Sequence, residues 1–460
     1  MGVKGVLKNI RKYGPVGTWK LYRQRDAERK HVADQQRAFI AEEKKQGFLA
    51  GSDPEYQEYL KMLDDPKGFK EYLKRLHDRV IRDELPQIYE EASKAPVEDK
   101  IIVMERGYAP SPSSAHLAEV LEAQGKYRVI YMSMEIRNCT YLKYYKNVKD
   151  FIRELGTARA VLISTANDYL SHIELRPETK VIQLWHGVGT FKKIGYSTVT
   201  SKSFGPNQQY REEFNQYRNY SYVTIASEEQ AWIFEDAMHI SRDSGILAPV
   251  GIARTDLFFD EDYRKEARKQ LDEICPGIGG RRIILYAPTF RGTVNNAKAP
   301  DKLDVEALGR ALSDDYVLLI KHHGVCENSR PAIPEPLKDN FAYDMNAVSS
   351  FSIEKMLMLA DICITDYSSL AFEYSILERP ILFFAYDLDE YIDERGMYLD
   401  YDELTPGPVC RTNAEMIDYI QALPSSFRGQ YEAEIKAFHD KWVDKCDGHA
   451  TERTIALIEK

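Results

Sequence analysis

Only six cysteines occur in the 460-residue chain (Cys139, Cys275, Cys326, Cys363, Cys410 and Cys446), and no two stand in a C-x-x-C pair. Neither a zinc site nor a disulfide framework is therefore expected, and reduced thiols in a cytosolic protein fit best. No apolar run approaches the roughly 18 to 20 residues that a membrane-spanning helix needs, which excludes an integral protein at this level. The G-x-x-x-x-G-K-[ST] phosphate loop and a strand-borne G-x-G-x-x-G are absent, which disfavours a P-loop NTPase or a dinucleotide oxidoreductase. A G-x-S-x-G elbow is missing too, and with it the usual mark of an α/β-hydrolase. At 43% hydrophobic and 29% charged residues the composition is that of a folded protein. Its length implies two cores plus an extension.

The net charge of −10 is unevenly spread. Residues 1–31 hold nine basic and two acidic side chains, a local charge of +7, which leaves −17 on the remainder. An acidic body argues against a nucleic-acid partner, whereas one basic edge suits an anionic lipid surface. Val3, Val6, Leu7 and Ile10 recur at helical spacing beside Lys4, Lys8 and Arg11. That pattern fits a short helix lying on a membrane or, equally, one packed on the body with solvated lysines. Nothing in the segment resembles a secretory signal.

Residues 1–98 read as a helical extension, broken at Gly14-Pro15, Gly51-Ser52 and Asp65-Pro66. From Ile101 onward short apolar runs alternate with helical stretches, first at 101–104, 129–132, 160–163, 181–184 and 223–226. After the Pro-Gly-Ile-Gly-Gly break at 276–280 they continue at 282–287, 316–321, 361–365 and 380–385. Strands bracketed by helices predict parallel sheets covered on both faces. The expected fold is α/β, with two doubly wound Rossmann-like domains, 99–258 and 259–460, facing a cleft at the carboxyl ends of their strands.

Four segments at strand ends carry candidate chemistry. In Leu184-Trp185-His186-Gly187-Val188-Gly189-Thr190-Phe191-Lys192-Lys193, His186 is placed to accept a proton from a hydroxyl, with Gly187, Lys192 and Lys193 lining the cleft. Arg291, in Tyr286-Ala287-Pro288-Thr289-Phe290-Arg291-Gly292, offers a fork of donors for a phosphate, although a turn with an exposed charge would look the same. In Lys321-His322-His323, strand alternation puts Lys321 and His323 on one face, which favours phosphate contact over a metal pair. The fourth segment runs Thr365-Asp366-Tyr367-Ser368-Ser369-Leu370-Ala371-Phe372-Glu373 into a helix. The N–H groups of Ser368, Ser369 and Leu370 would form an anion cradle, with Asp366 and Glu373 available to a ribose or nucleotide. An ordinary helix cap, made by Asp366 or Ser368, is compatible with the same residues.

Taken in order, Leu-Trp-His-Gly at 184–187, Tyr-Ala-Pro-Thr-Phe-Arg at 286–291, Leu-Ile-Lys-His-His at 319–323 and Ile-Thr-Asp-Tyr-Ser-Ser-Leu-Ala-Phe-Glu at 364–373 resemble the CDP-glycerol glycerophosphotransferase family of teichoic acid synthesis. Arg379-Pro380, Tyr386-Asp387, Arg395-Gly396-Met397-Tyr398 and Pro406-Gly407-Pro408 extend the likeness, which covers about 100–420. The resemblance implies a GT-B fold. It also implies transfer of a polyol phosphate, glycerol favoured over ribitol, from a CDP-polyol donor to a hydroxyl of a lipid-linked polyol phosphate or saccharide acceptor, with release of CMP. His186 matches the family's general base, His323 its second histidine on the donor diphosphate, Ser368 and Ser369 its diphosphate turn, and Glu373 its following acid. Val188-Gly189 and Met397 depart from the family pattern. No cofactor or metal site is expected, and any need for a divalent cation is left open. The expected location is the inner face of a cell membrane, reached through the basic amino-terminus. A nucleotide-sugar glycosyltransferase of the same fold and a non-catalytic scaffold stand as the alternatives.

Overall fold

The computed structural model describes residues 30–45, 53–107, 109–200, 208–292, 296–348 and 350–460. The expectation of a membrane-facing helix over Val3–Lys12 lies outside them.

Asp-Pro pairs start two of the early helices. Asp53 accepts from the N–H groups of Glu55 and Tyr56 at the head of Pro54–Leu63, and Asp65 accepts from Lys67 N–H at the head of Pro66–Arg79. In each case the proline fills a first-turn position that has no N–H to satisfy. A further helix covers 30–45, and the helical path continues from Pro66–Arg79 through a π turn at Val80–Glu84 into Leu85–Ala92.

Twelve strands follow: β1 (Glu98–Glu105), β2 (Arg128–Ser133), β3 (Ala158–Ile163), β4 (Lys180–Gln183), β5 (Tyr222–Ile225), β6 (Leu247–Pro249), β7 (Arg282–Tyr286), β8 (Tyr316–Ile320), β9 (Ala342–Asp344), β10 (Ile362–Thr365), β11 (Ile381–Phe384) and β12 (Val409–Cys410). They form two six-stranded sheets, ordered β2-β1-β3-β4-β5-β6 and β12-β11-β10-β7-β8-β9. The second order, counted from its first strand, is the 3-2-1-4-5-6 of a doubly wound sheet, whose topological switch lies between β7 and β10. Ligands bind such sheets beyond the carboxyl ends of the switch strands. Here those ends open into Ala287–Arg291 and Asp366–Ser369, two of the segments singled out above.

Nine strands match the expected runs to within a residue or three. Three others, β6, β9 and β12, were not anticipated: each is two or three residues long and sits at a sheet edge. An edge strand that short has no periodicity to read. Leu308 and Leu312 from helix Val305–Leu312, and Met416 and Ile420 from helix Asn413–Gln430, cover the second sheet over buried Leu318, Ile320 and Ile364. Burying each such aliphatic side chain contributes roughly 1.5–3 kcal/mol.

The chain divides into two compact units. One comprises Met1–Pro110, Lys126–Leu162 and Ala166–Thr179. The other, Ser111–Gly125, Ile163–Thr165 and Lys180–Lys460, carries β4 to β12 and every candidate site residue. Within that second unit the carboxy-terminal segment does not stay with the second sheet. Lys445 N–H bonds the Ala226 carbonyl at 3.1 Å, and Asp256 caps helix Ala450–Glu459 through Ala450 N (3.0 Å) and Thr451 N (2.7 Å). The stretch after Trp442 therefore packs beside β5 and β6 instead of belonging wholly to 259–460.

Candidate active site

His186 stands at the end of β4, on a backbone turn that costs energy to hold. Trp185 has φ +55°, a conformation that a bulky residue rarely adopts outside strained, functional turns. Buried Gln183 holds the turn by accepting from Trp185 N at 2.9 Å, while its amide donates to Tyr220 Oη at 3.0 Å. Beyond the histidine, Gly189 lies where a Cβ would sit 2.4 Å from the Phe372 ring, so glycine is required for the loop to cross that side chain. The same crossing sets Gly187 beside Ser369, whose Oγ is 3.7 Å from where a Gly187 Cβ would be. The Trp-His-Gly loop and the Asp-Tyr-Ser-Ser turn thus meet. A 330 Å³ pocket opens there, lined by His186, Ser369, Lys192, Lys193 and Arg395.

The His186 ring is exposed on the pocket side. Desolvation by the surrounding protein, followed by the Arg254 charge, lowers its pKa from 6.5, against a smaller opposing effect of a hydrogen bond with the Ser164 backbone. The imidazole is therefore neutral at neutral pH, the form a general base needs. His323 is exposed as well, and its pKa is lowered by desolvation and then by the charges of Lys192 and Arg395. Its Nδ1 accepts from Val325 N at 3.3 Å, which fixes the tautomer and leaves Nε2–H to donate. Phe290 supports the ring edge-on at 5.1 Å and also lies under the Arg395 guanidinium at 5.4 Å. Backbone clasps bring Lys192 to this group: Lys192 bridges Met397, Lys193 N bonds Gly396 O at 3.3 Å, and Tyr398 N bonds Phe191 O at 3.1 Å.

Several expected ligands are placed differently. Arg291 does not present its fork to a phosphate. Nε and Nη2 grip Asp387 at 2.5 and 3.0 Å, and Nη1 reaches Asp366 at 3.0 Å. Asp366 is 1% exposed, and its oxygens also accept from Thr289 N and Oγ1 and from Tyr367 N, so nothing remains for a ribose. Tyr367 Oη completes the network on Asp387 at 2.9 Å. These residues tie together the loops after β7, β10 and β11. Glu373 is 1% exposed and paired with Arg254 at 2.8 Å, beneath the turn and out of reach of a ribose.

Lys321 and His323 do not share a face, because β8 ends at Ile320 and alternation stops with it. Lys321 Nζ turns to the Met345 carbonyl at 3.1 Å, and it and buried His322 both face Asp344 and Arg330. Of the expected cradle, the Leu370 N–H is already taken by Ser368 Oγ at 3.3 Å, which leaves those of Ser368 and Ser369. No group of three or more metal-ligating side chains occurs among the described residues.

The family model of CDP-glycerol:poly(glycerophosphate) glycerophosphotransferase matches residues 88–460. The chain belongs to this family. It is 34% identical over 306 residues to a teichoic acid poly(ribitol-phosphate) polymerase of Bacillus spizizenii, an alignment that takes in 66% of this chain and 47% of that protein. A teichoic acid glycerol-phosphate primase of Bacillus subtilis is 35% identical over 302 residues, 65% of this chain and 73% of the primase. The chain thus spans about half the length of the polymerase and most of the primase. Among solved structures, the wall teichoic acid polymerase TagF in a CDPG soak superposes with a TM-score of 0.67 at 23% identity, over 85% of this chain and 97% of that one. The fold is accordingly the GT-B type, with two parallel six-stranded sheets.

Within this glycerophosphotransferase-family chain, three site residues escaped the sequence reading. Arg254 follows the Pro249-Val250-Gly251 stretch at the end of β6, a strand too short to announce that a charge acting on His186 comes next. Asp387 and Arg395 stand in Tyr386-Asp387 and Arg395-Gly396-Met397-Tyr398, segments that extended the family likeness but gave no chemical signal by themselves.

Proposed function

We propose that the chain transfers a polyol phosphate, glycerol phosphate in the first instance, from a CDP-polyol to a hydroxyl of a lipid-linked acceptor. One observation carries the reading: a neutral imidazole, His186, shares a single pocket with Ser369 and the cationic group of Lys192 and Arg395. His186 takes the proton of the acceptor hydroxyl while its oxygen attacks the polyol-bearing phosphorus. The bond from that phosphorus to the bridging oxygen breaks, and the electron pair leaves with CMP. His323 Nε2–H, Arg395, Lys192 and the Ser368 and Ser369 N–H groups offset charge on the diphosphate, so positioning and electrostatics supply most of the rate. Residues 99–258 would serve the acceptor and the following residues the donor. Relatives named for glycerol phosphate and for ribitol phosphate are similarly close.

Incubation with CDP-glycerol or CDP-ribitol and a teichoic acid primer, following CMP release and product length, tests the proposal and selects the polyol. Release of UDP or GDP from a nucleotide sugar, with no CMP from either CDP-polyol, would replace it with the glycosyltransferase reading. The basic segment 1–31 is assigned to an anionic membrane surface on its charge alone. No helix among the described residues is long and apolar enough to cross a membrane. Deleting 1–31 should abolish sedimentation with anionic liposomes, and unchanged sedimentation refutes the assignment.

A further inference from the structure

The pocket that holds His186 has a further basic group, which the transfer reading does not use. Arg211, on the short helix Gln208–Glu213, lines it together with Lys193 and Thr198. Its guanidinium is pinned along one side only: Nη1 donates to the Gly195 carbonyl and, at 3.0 Å, to Thr198 Oγ1. The backbone behind it is fixed as well, since Tyr196 Oη donates to the Arg211 carbonyl at 2.8 Å. Gly195 holds the opposing position at φ +53°, where a Cβ would lie 2.1 Å from the Ala237 carbonyl oxygen, so no other residue could present that carbonyl.

What is left on Arg211 is the Nε–Nη2 edge, the side-on fork that matches two oxygens of a phosphate. Among the described residues that edge makes no hydrogen bond, and neither Arg211 nor Lys193 has a carboxylate within 4 Å. The contrast with Arg291 is instructive, because there the same edge is closed by Asp387. A built arginine with an unspent fork, in the pocket that also holds Lys192 and Arg395, gives the His186 site a phosphate-binding group beyond those assigned to the donor.

We infer that Arg211 and Lys193 form a subsite for the phosphodiester nearest the attacking hydroxyl of the acceptor, so that the preferred acceptor is a chain end already bearing a polyol phosphate and not a neutral saccharide. This rests on the transfer reading above and adds the acceptor's chemical class to it. The attacking hydroxyl then reaches His186 from the Arg211 side, while the donor diphosphate lies toward Arg395 and His323.

The test is CMP release by the full chain at saturating CDP-glycerol with two primers on one lipid, the first ending in a saccharide hydroxyl and the second in a glycerol phosphate. Wild type should show the lower KM for the second primer. Arg211→Gln should raise that KM about tenfold, the worth of one charged hydrogen-bonded contact, and leave the affinity for CMP in place. Arg211→Lys should restore only part of the loss, because a point charge lacks the fork. Lys193→Gln, which does not touch the Gly195 and Thr198 contacts, should move the same KM in the same direction and guards against a misfolded loop. Equal KM values for the two primers in wild type, or an equal rise for both in the variants, would overturn the subsite. A preference arising from the lipid's own phosphates would appear with both primers and count against it equally. If neither primer supports CMP release, the transfer reading fails on its own. Calorimetry with tri(glycerol phosphate) then decides the subsite: binding by wild type that Arg211→Gln loses upholds it, and no binding refutes it.

Discussion

Arg254 and Glu373 are joined by a 2.8 Å ion pair in which the carboxylate side chain is 1% exposed and the arginine 13%. A second carboxylate, Glu354, lies 3.7 Å from the same guanidinium and is 3% exposed. Burial, and then the neighbouring Glu354 acting against the Arg254 charge, leaves Glu373 with a pKa pushed up to about 7. The pair connects the loop after β6 to the short helix that follows the Ser368–Ser369 turn. It also places a positive charge close enough to His186 to lower its pKa.

That relationship predicts a pH signature. The base must be neutral, so activity falls as pH drops through the His186 pKa. Arg254→Gln removes the positive charge, the pKa rises part of the way toward 6.5 because desolvation, the larger cause, remains, and the acid limb of kcat/KM should move to higher pH. Glu373→Gln leaves Arg254 less compensated and should move the limb the other way or hold it still. Should Arg254→Gln shift the limb downward, Arg254 is not what keeps His186 neutral.

The two exposed histidines should separate by role. His186→Ala is expected to lower kcat by about 10²–10⁴-fold, the usual worth of general base catalysis, while CDP-polyol binding measured by calorimetry persists. His323→Ala should weaken both binding and turnover, because its Nε2–H is assigned to the donor. Near-normal turnover in His186→Ala would end the assignment of the base.

Arg291 should behave as a structural residue and not as a donor ligand. Its side chain is 19% exposed and bridges Asp366 and Asp387, which are 2% and 17% exposed. Arg291→Met leaves both carboxylates partly or wholly buried without a counter-charge, an arrangement that costs about 3–5 kcal/mol. Urea denaturation should register that loss. CMP affinity per folded molecule should change far less, and a selective loss of CMP binding at unchanged stability would restore the phosphate clamp.

The backbone architecture was legible because buried parallel strands leave apolar runs, and nine of them stood out. The loops were legible as positions, not as partners. His186, His323 and Ser369 were singled out from strand-end placement, and each is wholly or partly open to the pocket or to solvent. Asp366, Glu373 and Arg291 looked identical in sequence to exposed ligands, since nothing local tells a carboxylate aimed at a ribose from one aimed at a buried arginine. Arg254 is their unread partner, and it arrives from a distant loop. Lys321 was misplaced for a geometric reason: strand alternation was extended through Lys321 to His323, past Ile320, where the strand had already ended. Gly189 seemed a departure from the family pattern, and contact with the Phe372 ring explains the absence of a side chain there.

His322 supplies the last prediction. It is 5% exposed, its Nδ1 has no hydrogen-bond partner, and its backbone is clamped by Asn346 through two 2.8 Å bonds. The charged groups it faces are Asp344, which favours protonation, and Arg330, which opposes it. Desolvation, with Arg330 acting in the same direction, outweighs Asp344 and lowers the pKa to about 4. In the unfolded chain the ring titrates near 6.5, so between pH 6.5 and 4 the unfolded state binds the extra proton and the native state does not. The contribution of this group is therefore fully present above pH 6.5 and lost as pH falls toward 4, by about 3 kcal/mol in all. His322→Gln cannot titrate. Denaturation at pH 7, 5.5 and 4 should show wild type losing more stability than the variant at each acid step. Parallel curves would mean that the imidazolium is accommodated in the native state after all, with the Asp344 carboxylate able to compensate for its burial.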